Sequence, residues 1–346
     1  MKTALLLIAL VLCGCAGSPR LETLHGKTMG TTWSVKYLRP AAVDADRLAL
    51  DLQHELDTVV AQMSTWQADS DLGRYNRAPA QTWQTLPVEF YTVLERALQL
   101  AHDTDGAYDP TVGALVDLWG FGPVRREREP PSDEAIAAAR ARVGWQRVRL
   151  DPAGRRVWQP GGIQLDLSSI AKGFGVDQVA RRLDAAGVSS YLVEVGGELR
   201  GRGRRPDGAP WQVAIERPDA AAGAVQRLDE VERVLPLDDR ALATSGDYRH
   251  VFEDHGTVYS HHIDPRSGRP VTHRLASVTV AAREAVDADP LGTTIMVLGP
   301  EAGMAYAVEH GLAVLLIVRS DGGLEERLSP AFAALLGESA HAGNVP

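Results

Sequence analysis

The sequence predicts an α+β fold, a single domain of mostly antiparallel strands with packed helices. Short strand-like segments occur in hairpin order, as in residues 251–253 and 257–263, which flank the turn Asp254-His255-Gly256. Helical segments stand apart from these hairpins and do not alternate regularly with strands, which argues against a doubly wound parallel sheet. The 346 residues are 45% hydrophobic, enough for a sizeable core, and contain no internal repeat or clear linker.

The spacing of apolar residues and the positions of helix-capping residues predict the individual helices. Leu52, Leu56, Val59 and Met63 recur at helical spacing after Asp44, which indicates an amphipathic helix. Further helices are predicted over 88–102, after a cap at Ser132 or Asp133, over 171–186 ending at Gly187, from Asp289, and from Glu301. Strands are predicted over 32–38, 157–167 (with a turn), 191–195, 211–216, 241–244, 276–282 and 312–318.

The N-terminal segment is typical of a bacterial lipoprotein signal peptide. Lys2 precedes an apolar run over 4–12 and the sequence Leu12-Cys13-Gly14-Cys15. The run is far shorter than the roughly 20 residues of a membrane-spanning helix. We therefore expect residues 1–14 to be removed, Cys15 to be lipidated, 15–24 to form a tether and 25–340 to form the catalytic domain. The alternative is a short hydrophobic helix of a cytoplasmic protein.

Charge and cysteine content exclude two classes of protein. The formal net charge is −9, and no basic stripe offsets it, so a general nucleic-acid binder is excluded. Both cysteines, Cys13 and Cys15, lie in the signal region. A disulfide framework is therefore not expected, and stability must come from core burial.

Two segments have the composition of ligand-contacting loops. Gly30, within Lys27-Thr28-Met29-Gly30-Thr31-Thr32, would let a backbone approach a ligand closely, although a plain strand entrance explains the segment equally well. Asp109 precedes a proline in Ala107-Tyr108-Asp109-Pro110-Thr111. Its carboxylate could bond the edge of a ring while an aromatic side chain packs on the ring face. The alternative is a structural turn with core aromatics.

A third segment has the features of a phosphate site. Ser168, Ser169 and Lys172 follow a strand and precede a helix. Amides at a helix N-terminus favour an anion, and Lys172 adds a positive charge. Ser168 could equally be a simple N-cap, which is compatible with phosphate binding.

Two further pairs of residues are candidates for catalysis and for metal binding. His261 and His262 are adjacent, and strand alternation predicts that one faces the site and the other faces solvent. Two surface histidines are the alternative. Asp289 and Thr293 lie one helical turn apart on the same helix face, and their hard oxygens suit Mg²⁺. The alternative for one of the carboxylates is that Asp287 is only a helix N-cap, which still leaves Asp289 free.

Together these segments resemble the ApbE family of FAD:protein FMN transferases, in order from about Met29 to about Gly299. The resemblance implies one ApbE-like, T-fold-like catalytic domain. It also implies Mg²⁺ held by the Asp289 carboxylate, the Thr293 hydroxyl and the carbonyls of Ala171 and Gly292. His261 would be the general base and Lys172 would stabilise charge. The residues implied to contact FAD are Met29, Trp66, Ala107, Tyr108, Asp109, Ser168, Lys172, Phe174 and Ile263.

The sequence departs from the family pattern at two positions. The family usually has a small residue at the position of Pro290, and alanine or serine at the position of Gly292. We expect Pro290 in the first turn of its helix, where proline is tolerated. Gly292 still offers a carbonyl, so the expected metal site is kept.

The resemblance implies transfer of FMN from FAD to a threonine or serine hydroxyl of an acceptor protein, such as a redox-pump or reductase subunit, with release of AMP. The enzyme would face the periplasm on a lipid anchor. Two alternatives remain at this stage. One is a Mg²⁺-dependent FAD pyrophosphatase that uses water as the acceptor. The other is a non-catalytic flavin-binding lipoprotein.

Overall fold

The computed structural model describes residues 20–124, 129–218, 231–247 and 251–337. The strands are, in chain order, β1 Arg20–Thr28, β2 Thr31–Arg39, β3 Thr82–Thr85, β4 Leu150–Asp151, β5 Arg156–Gln159, β6 Tyr191–Val195, β7 Glu198–Arg202, β8 Trp211–Glu216, β9 Val231–Leu237, β10 Arg240–Gly246, β11 Val251–Asp254, β12 Thr257–Ser260, β13 Ile263–Asp264, β14 Arg269–Pro270, β15 Leu275–Ala282, β16 Ala313–Ser320 and β17 Gly323–Leu328.

The helices of the described residues are α1 Ala45–Met63, α2 Asp71–Asn76, α3 Val88–Asp103, α4 Gly113–Leu118, α5 Asp133–Arg140, α6 Ala171–Ala185, α7 Ala285–Leu298, α8 Pro300–Glu309 and α9 Pro330–Leu336, with a 3-10 turn at Trp145–Arg147. Among these helices, none combines the length and apolar composition that crossing a bilayer requires.

An eight-stranded sheet forms the centre of the fold, in the order β1-β2-β6-β7-β10-β15-β16-β17. Every strand pair in it is antiparallel. In the rest of the described chain the single parallel contact is an isolated bridge between Val112 and Gln164. The predicted α+β class with mostly antiparallel strands is therefore confirmed.

The two faces of the sheet are covered differently. On one face, Val35 and Val193 pack against α1 and α6, and Val280 and Val314 pack against α7 and α8. On the other face, the β8–β9 hairpin and α9 cover the sheet. The helices α6 and α7 therefore lie side by side on one face, and this arrangement brings their N-terminal ends together.

Local patterns predicted most elements well. The helix expected after Asp44 is α1, and the Asp44 side chain caps it by accepting a hydrogen bond from Arg47 N. Gly187, with φ of +79°, follows α6 as expected. His255 and Gly256 take the positive φ values of a tight hairpin turn between β11 and β12.

Three expected boundaries were wrong. The predicted tether over 15–24 overlaps β1, which begins at Arg20 and pairs with β2 along its whole length. The strand expected over 257–263 is interrupted at His261 and His262. The helix expected from Asp289 begins a full turn earlier, at Ala285. The signal peptide and Cys15 lie outside the described residues.

Candidate active site

A cavity of about 1380 Å³ lies where the N-terminal ends of α6 and α7 meet the sheet. Several separate segments contribute to its walls, including the β6–β7 turn, β8, the end of β10 and the segment after β12. Most of the residues predicted for the site line it, namely Met29, Trp66, Ser168, Ala171, Lys172, His261, Ile263, Asp289 and Thr293. The fold thus gathers residues that are far apart in the sequence.

Asp289 is the carboxylate at the junction of the two helices, with only 4% of its surface exposed. Its Oδ2 accepts a 2.9 Å hydrogen bond from the amide of Gly173, in the first turn of α6. Burial raises the pKa of Asp289, while the charge of Lys172 and the Gly173 hydrogen bond act in the opposite direction. One amide of the first turn of α6, where the sequence predicted amides that favour an anion, is therefore directed at the Asp289 carboxylate.

The early start of α7 has a cause that local sequence does not contain. Asp177, buried on α6, accepts hydrogen bonds from the amides of Ala285 at 3.1 Å and Val286 at 2.9 Å. It also forms an ion pair with Arg200 of β7. A carboxylate at the first amides of a helix satisfies donors that would otherwise lack partners.

One expectation and one alternative for α7 were consequently wrong. Pro290 lies inside the helix and not in its first turn, and the hydroxyl of Thr294 donates to the carbonyl of Pro290 at 2.9 Å. Asp287 is not the N-cap; Glu284 occupies that position, and Asp287 pairs with Arg96 at 3.0 Å.

Ser168 is not the cap of α6 either, because the N-cap is Ile170. The amide of Ser168 instead donates to Oδ1 of Asp166 at 2.8 Å, and both residues line the cavity. This turn presents Ser168 to the cavity without using its hydroxyl to start the helix.

Glu198 is a site residue that sequence reasoning missed. It lines the cavity, is only 2% exposed, and forms an ion pair with Lys172. Burial first, and then the charge of Asp289, raise the pKa of Glu198, while Lys172 opposes the shift. The signal that could have found it is the Gly196-Gly197 turn before it. A Cβ on Gly196 would lie 2.7 Å from Cγ2 of Thr31, so this turn passes very close to its neighbours.

The two histidines do not alternate between site and solvent. Both His261 and His262 line the cavity, with ring centroids 4.0 Å apart. The expectation failed because the two residues lie between β12 and β13 and not within a strand, so the two-residue period does not apply. His262 is buried with Nδ1 3.2 Å from the hydroxyl of Ser260, and His261 packs edge-on against Phe121.

Some predicted site residues are not on the cavity wall. Asp109 is occupied in a turn: Oδ1 accepts from the amide and hydroxyl of Thr111, and Oδ2 accepts from the amide of Trp145. Tyr108 lies directly behind the wall, with its hydroxyl 3.3 Å from that of Ser169. The others set back from the wall are Ala107, Phe174 and Gly292, all buried. Flavin contact by the first four of these residues and metal contact by Gly292 stay predictions.

The oxygen atoms at the α6–α7 junction are suitable ligands for a magnesium ion. Asp289 lines the cavity, and the hydrogen bond that it accepts within the described chain, from the Gly173 amide, reaches Oδ2 and not Oδ1. Thr293 and Ala171 line the same cavity and offer hydroxyl and carbonyl oxygens. No group of three or more His, Cys, Asp and Glu side chains in the described residues is placed to hold a metal. Mg²⁺ commonly takes only one or two protein carboxylates, with water and substrate phosphate completing its shell.

Comparison with known proteins gives a consistent result. The ApbE family profile matches residues 29–316. The chain is 41% identical to a Vibrio cholerae protein named FAD:protein FMN transferase, over 94% of this chain and 96% of that protein. It is 40% identical to a Haemophilus influenzae protein of the same name, over 95% of each chain. The crystal structure of the Pseudomonas stutzeri flavinyl transferase ApbE in its apo form superposes with a TM-score of 0.85 and 42% identity, covering 94% of this chain and 99% of that one. The chain therefore belongs to the ApbE family.

Proposed function

We propose that this protein transfers FMN from FAD to a threonine or serine hydroxyl of an acceptor protein and releases AMP, with Mg²⁺ bound at Asp289. The observation that carries the proposal is that Asp289, Thr293, Lys172 and His261 line one cavity. Phosphoryl-type transfer requires metal ligands, a positive charge and a general base around one site. Asp289 and Thr293 are the candidate metal ligands, Lys172 is the cation and His261 is the candidate base.

The bound ion would neutralise charge on the FAD pyrophosphate and fix its orientation. Asp289 and Thr293 would hold that ion with the carbonyl of Ala171, while the Gly173 amide keeps the Asp289 carboxylate in place. Lys172, held by Glu198, lines the same cavity and would stabilise negative charge on the transferring group.

The proposed chemistry is a displacement at phosphorus. The acceptor hydroxyl oxygen forms a bond to the FMN-side phosphorus, and the bond from that phosphorus to the bridging oxygen breaks. The bond electrons leave on that oxygen with AMP. His261 takes the hydroxyl proton, a role that suits imidazole because its ordinary pKa lies near neutrality. Trp66, 70% exposed at the cavity, offers a ring face for the flavin.

The test is a reaction of the protein beginning after Cys15 with FAD, Mg²⁺ and a redox-pump subunit that bears an FMN-attachment threonine. Intact mass and nucleotide chromatography measure the products. We expect the acceptor to gain one FMN residue, AMP to appear, and EDTA to abolish both. Free FMN with AMP and an unmodified acceptor would indicate a pyrophosphatase. Intact FAD would indicate a flavin carrier.

We also propose that the protein is exported and anchored to the membrane through lipidated Cys15, facing the periplasm. The proposal is supported by the charged start, the apolar run over 4–12 and the cysteine after Gly14. Metabolic labelling with a fatty acid should mark the wild type and not Cys15→Ser, while Cys13→Ser should still be labelled. Equal labelling of the wild type and Cys15→Ser would contradict the anchor.

A further inference from the structure

Strand β8 presents its backbone edge, and not one of its faces, to the cavity. Residues that line a cavity through a strand face alternate along the strand, since successive side chains point to opposite faces. In β8 the consecutive residues Val213, Ala214, Ile215 and Glu216 all line the cavity. Val213 and Ile215 are buried against the sheet, whereas Ala214 is half-buried on the other face. Because consecutive residues, whose side chains lie on both faces of β8, all line the cavity, the cavity must lie alongside the edge of the strand.

The register of the hairpin shows which backbone groups point to that edge. Gln212 of β8 lies opposite Pro236 of β9. Proline has no N–H to give, so this pair is of the non-hydrogen-bonded type. Pair types alternate along an antiparallel ladder, so Val213 bonds with Leu235, and the next pair, Ala214 with Val234, is again non-hydrogen-bonded. The N–H and C=O of Ala214 therefore point away from β9.

These two groups have no partner in the part of the chain that the structure describes. β8 pairs with β9 alone in its sheet. No further backbone or side-chain hydrogen bond reaches Ala214 from the described residues. Polar backbone groups at a free strand edge pair readily with another extended chain.

We propose that the open edge of β8, meaning the backbone around Ala214, binds the acceptor protein as an added β-strand beside the catalytic cavity. The inference rests on the proposed function, because FMN transfer requires the acceptor hydroxyl to enter the cavity that contains Asp289 and His261. The edge is continuous with that cavity. Main-chain hydrogen bonds to β8 would hold the acceptor segment in an extended conformation. In an extended segment, successive side chains point to opposite sides, so every second side chain points into the cavity. An acceptor threonine at one of those positions can reach the phosphorus.

The test compares Ala214→Pro with Val234→Pro. Proline at 214 removes the outward N–H and obstructs pairing, but it spares the β8–β9 ladder because Ala214 is not bonded to β9. Val234 lies opposite Ala214 in the same non-hydrogen-bonded pair, is 54% exposed and does not line the cavity, so proline there makes the same change on the far edge of the hairpin. We expect Ala214→Pro to raise the KM for the acceptor protein at least about tenfold, with FAD affinity unchanged, and Val234→Pro to resemble the wild type. Wild-type KM in Ala214→Pro, or loss of FAD binding in it, would overturn the inference.

A second measurement uses the wild-type enzyme and needs no folded variant. A synthetic peptide that spans an FMN-attachment threonine is N-methylated at one backbone amide at a time. If the peptide pairs with β8 as a strand, N-methylation should reduce FMN transfer to the peptide at every second position, because only alternate amides face the β8 edge. Equal effects at neighbouring positions would contradict strand addition. A wild-type enzyme that never modifies the acceptor would instead disprove the proposed function, so the two failures are distinguishable.

Discussion

The amide of Gly173 donates a 2.9 Å hydrogen bond to Oδ2 of Asp289, and this contact joins α6 to α7 at the candidate metal site. The helices leave no space at this point. A Cβ on Gly173 would lie 2.2 Å from the carbonyl oxygen of Ala285 and 2.8 Å from Cβ of Asp289. Glycine is therefore required here for close helix contact, and the contact sets the orientation of the carboxylate.

Gly173→Ala should weaken metal binding. The added methyl group must push α7 away, which breaks the hydrogen bond that orients Asp289. Loss of such a supporting contact commonly costs about 10–100-fold in metal affinity. We expect the Mg²⁺ concentration for half-maximal FMN transfer to rise in that range, measured by titrating Mg²⁺ at saturating FAD.

Gly175→Ala is the matched control for that variant, since it makes the same change two residues along α6. Its Cβ would meet only side-chain ends, Cε of Met29 at 3.0 Å and Cδ2 of Leu56 at 3.2 Å. The Mg²⁺ dependence should be unchanged, and helix propensity favours alanine by about 1 kcal/mol. If both variants shifted the Mg²⁺ titration equally, the Gly173–Asp289 contact would not be the cause.

Asp289→Asn should lower FMN transfer by about 100-fold or more, because the neutral amide is a poor ligand for a hard cation. The Asn carbonyl can still accept from Gly173, so the protein should remain folded by circular dichroism. Asp287→Asn is the control on the same helix. Its carboxylate is half-exposed and pairs with Arg96 at 3.0 Å, so its loss should leave transfer within about twofold of the wild type.

His261→Ala should retain FAD binding and lose transfer by about 10²–10⁴-fold, the usual contribution of a general base. Flavin fluorescence measures binding and acceptor mass measures transfer. His54→Ala, on the exposed side of α1, is the control and should be fully active. Full activity in His261→Ala would remove this residue from the mechanism.

Asp177→Asn should destabilise the fold strongly, although Asp177 does not line the cavity. The change leaves Arg200 without its buried partner and removes an acceptor at the start of α7. Breaking a buried pair typically costs about 3–5 kcal/mol, which urea unfolding would measure. Glu301→Gln, which breaks the exposed pair with Arg327, should cost about 0–1 kcal/mol. Similar losses in the two variants would contradict a structural role for Asp177.

The sequence by itself determined the fold class and most of the elements. Leu52, Leu56 and Val59 predicted α1, and Asp254-His255-Gly256 predicted the β11–β12 hairpin, because periodicity and turn chemistry act over a few residues. The segments that resemble the ApbE family also predicted Asp289, Lys172 and His261 as site residues, and the structure places all three on the wall of one cavity.

Only the tertiary structure decided how these groups are held. The start of α7 depends on Asp177, more than a hundred residues earlier in the chain, so no local rule could place it at Ala285. The pairing of Lys172 with Glu198 likewise joins a helix to a strand that follows it. The backbone groups of Ala214 point away from β9 because the hairpin register places Gln212 opposite Pro236 and Ala214 opposite Val234. In each case the determining contact crosses between elements, and sequence patterns specify elements better than the contacts between them.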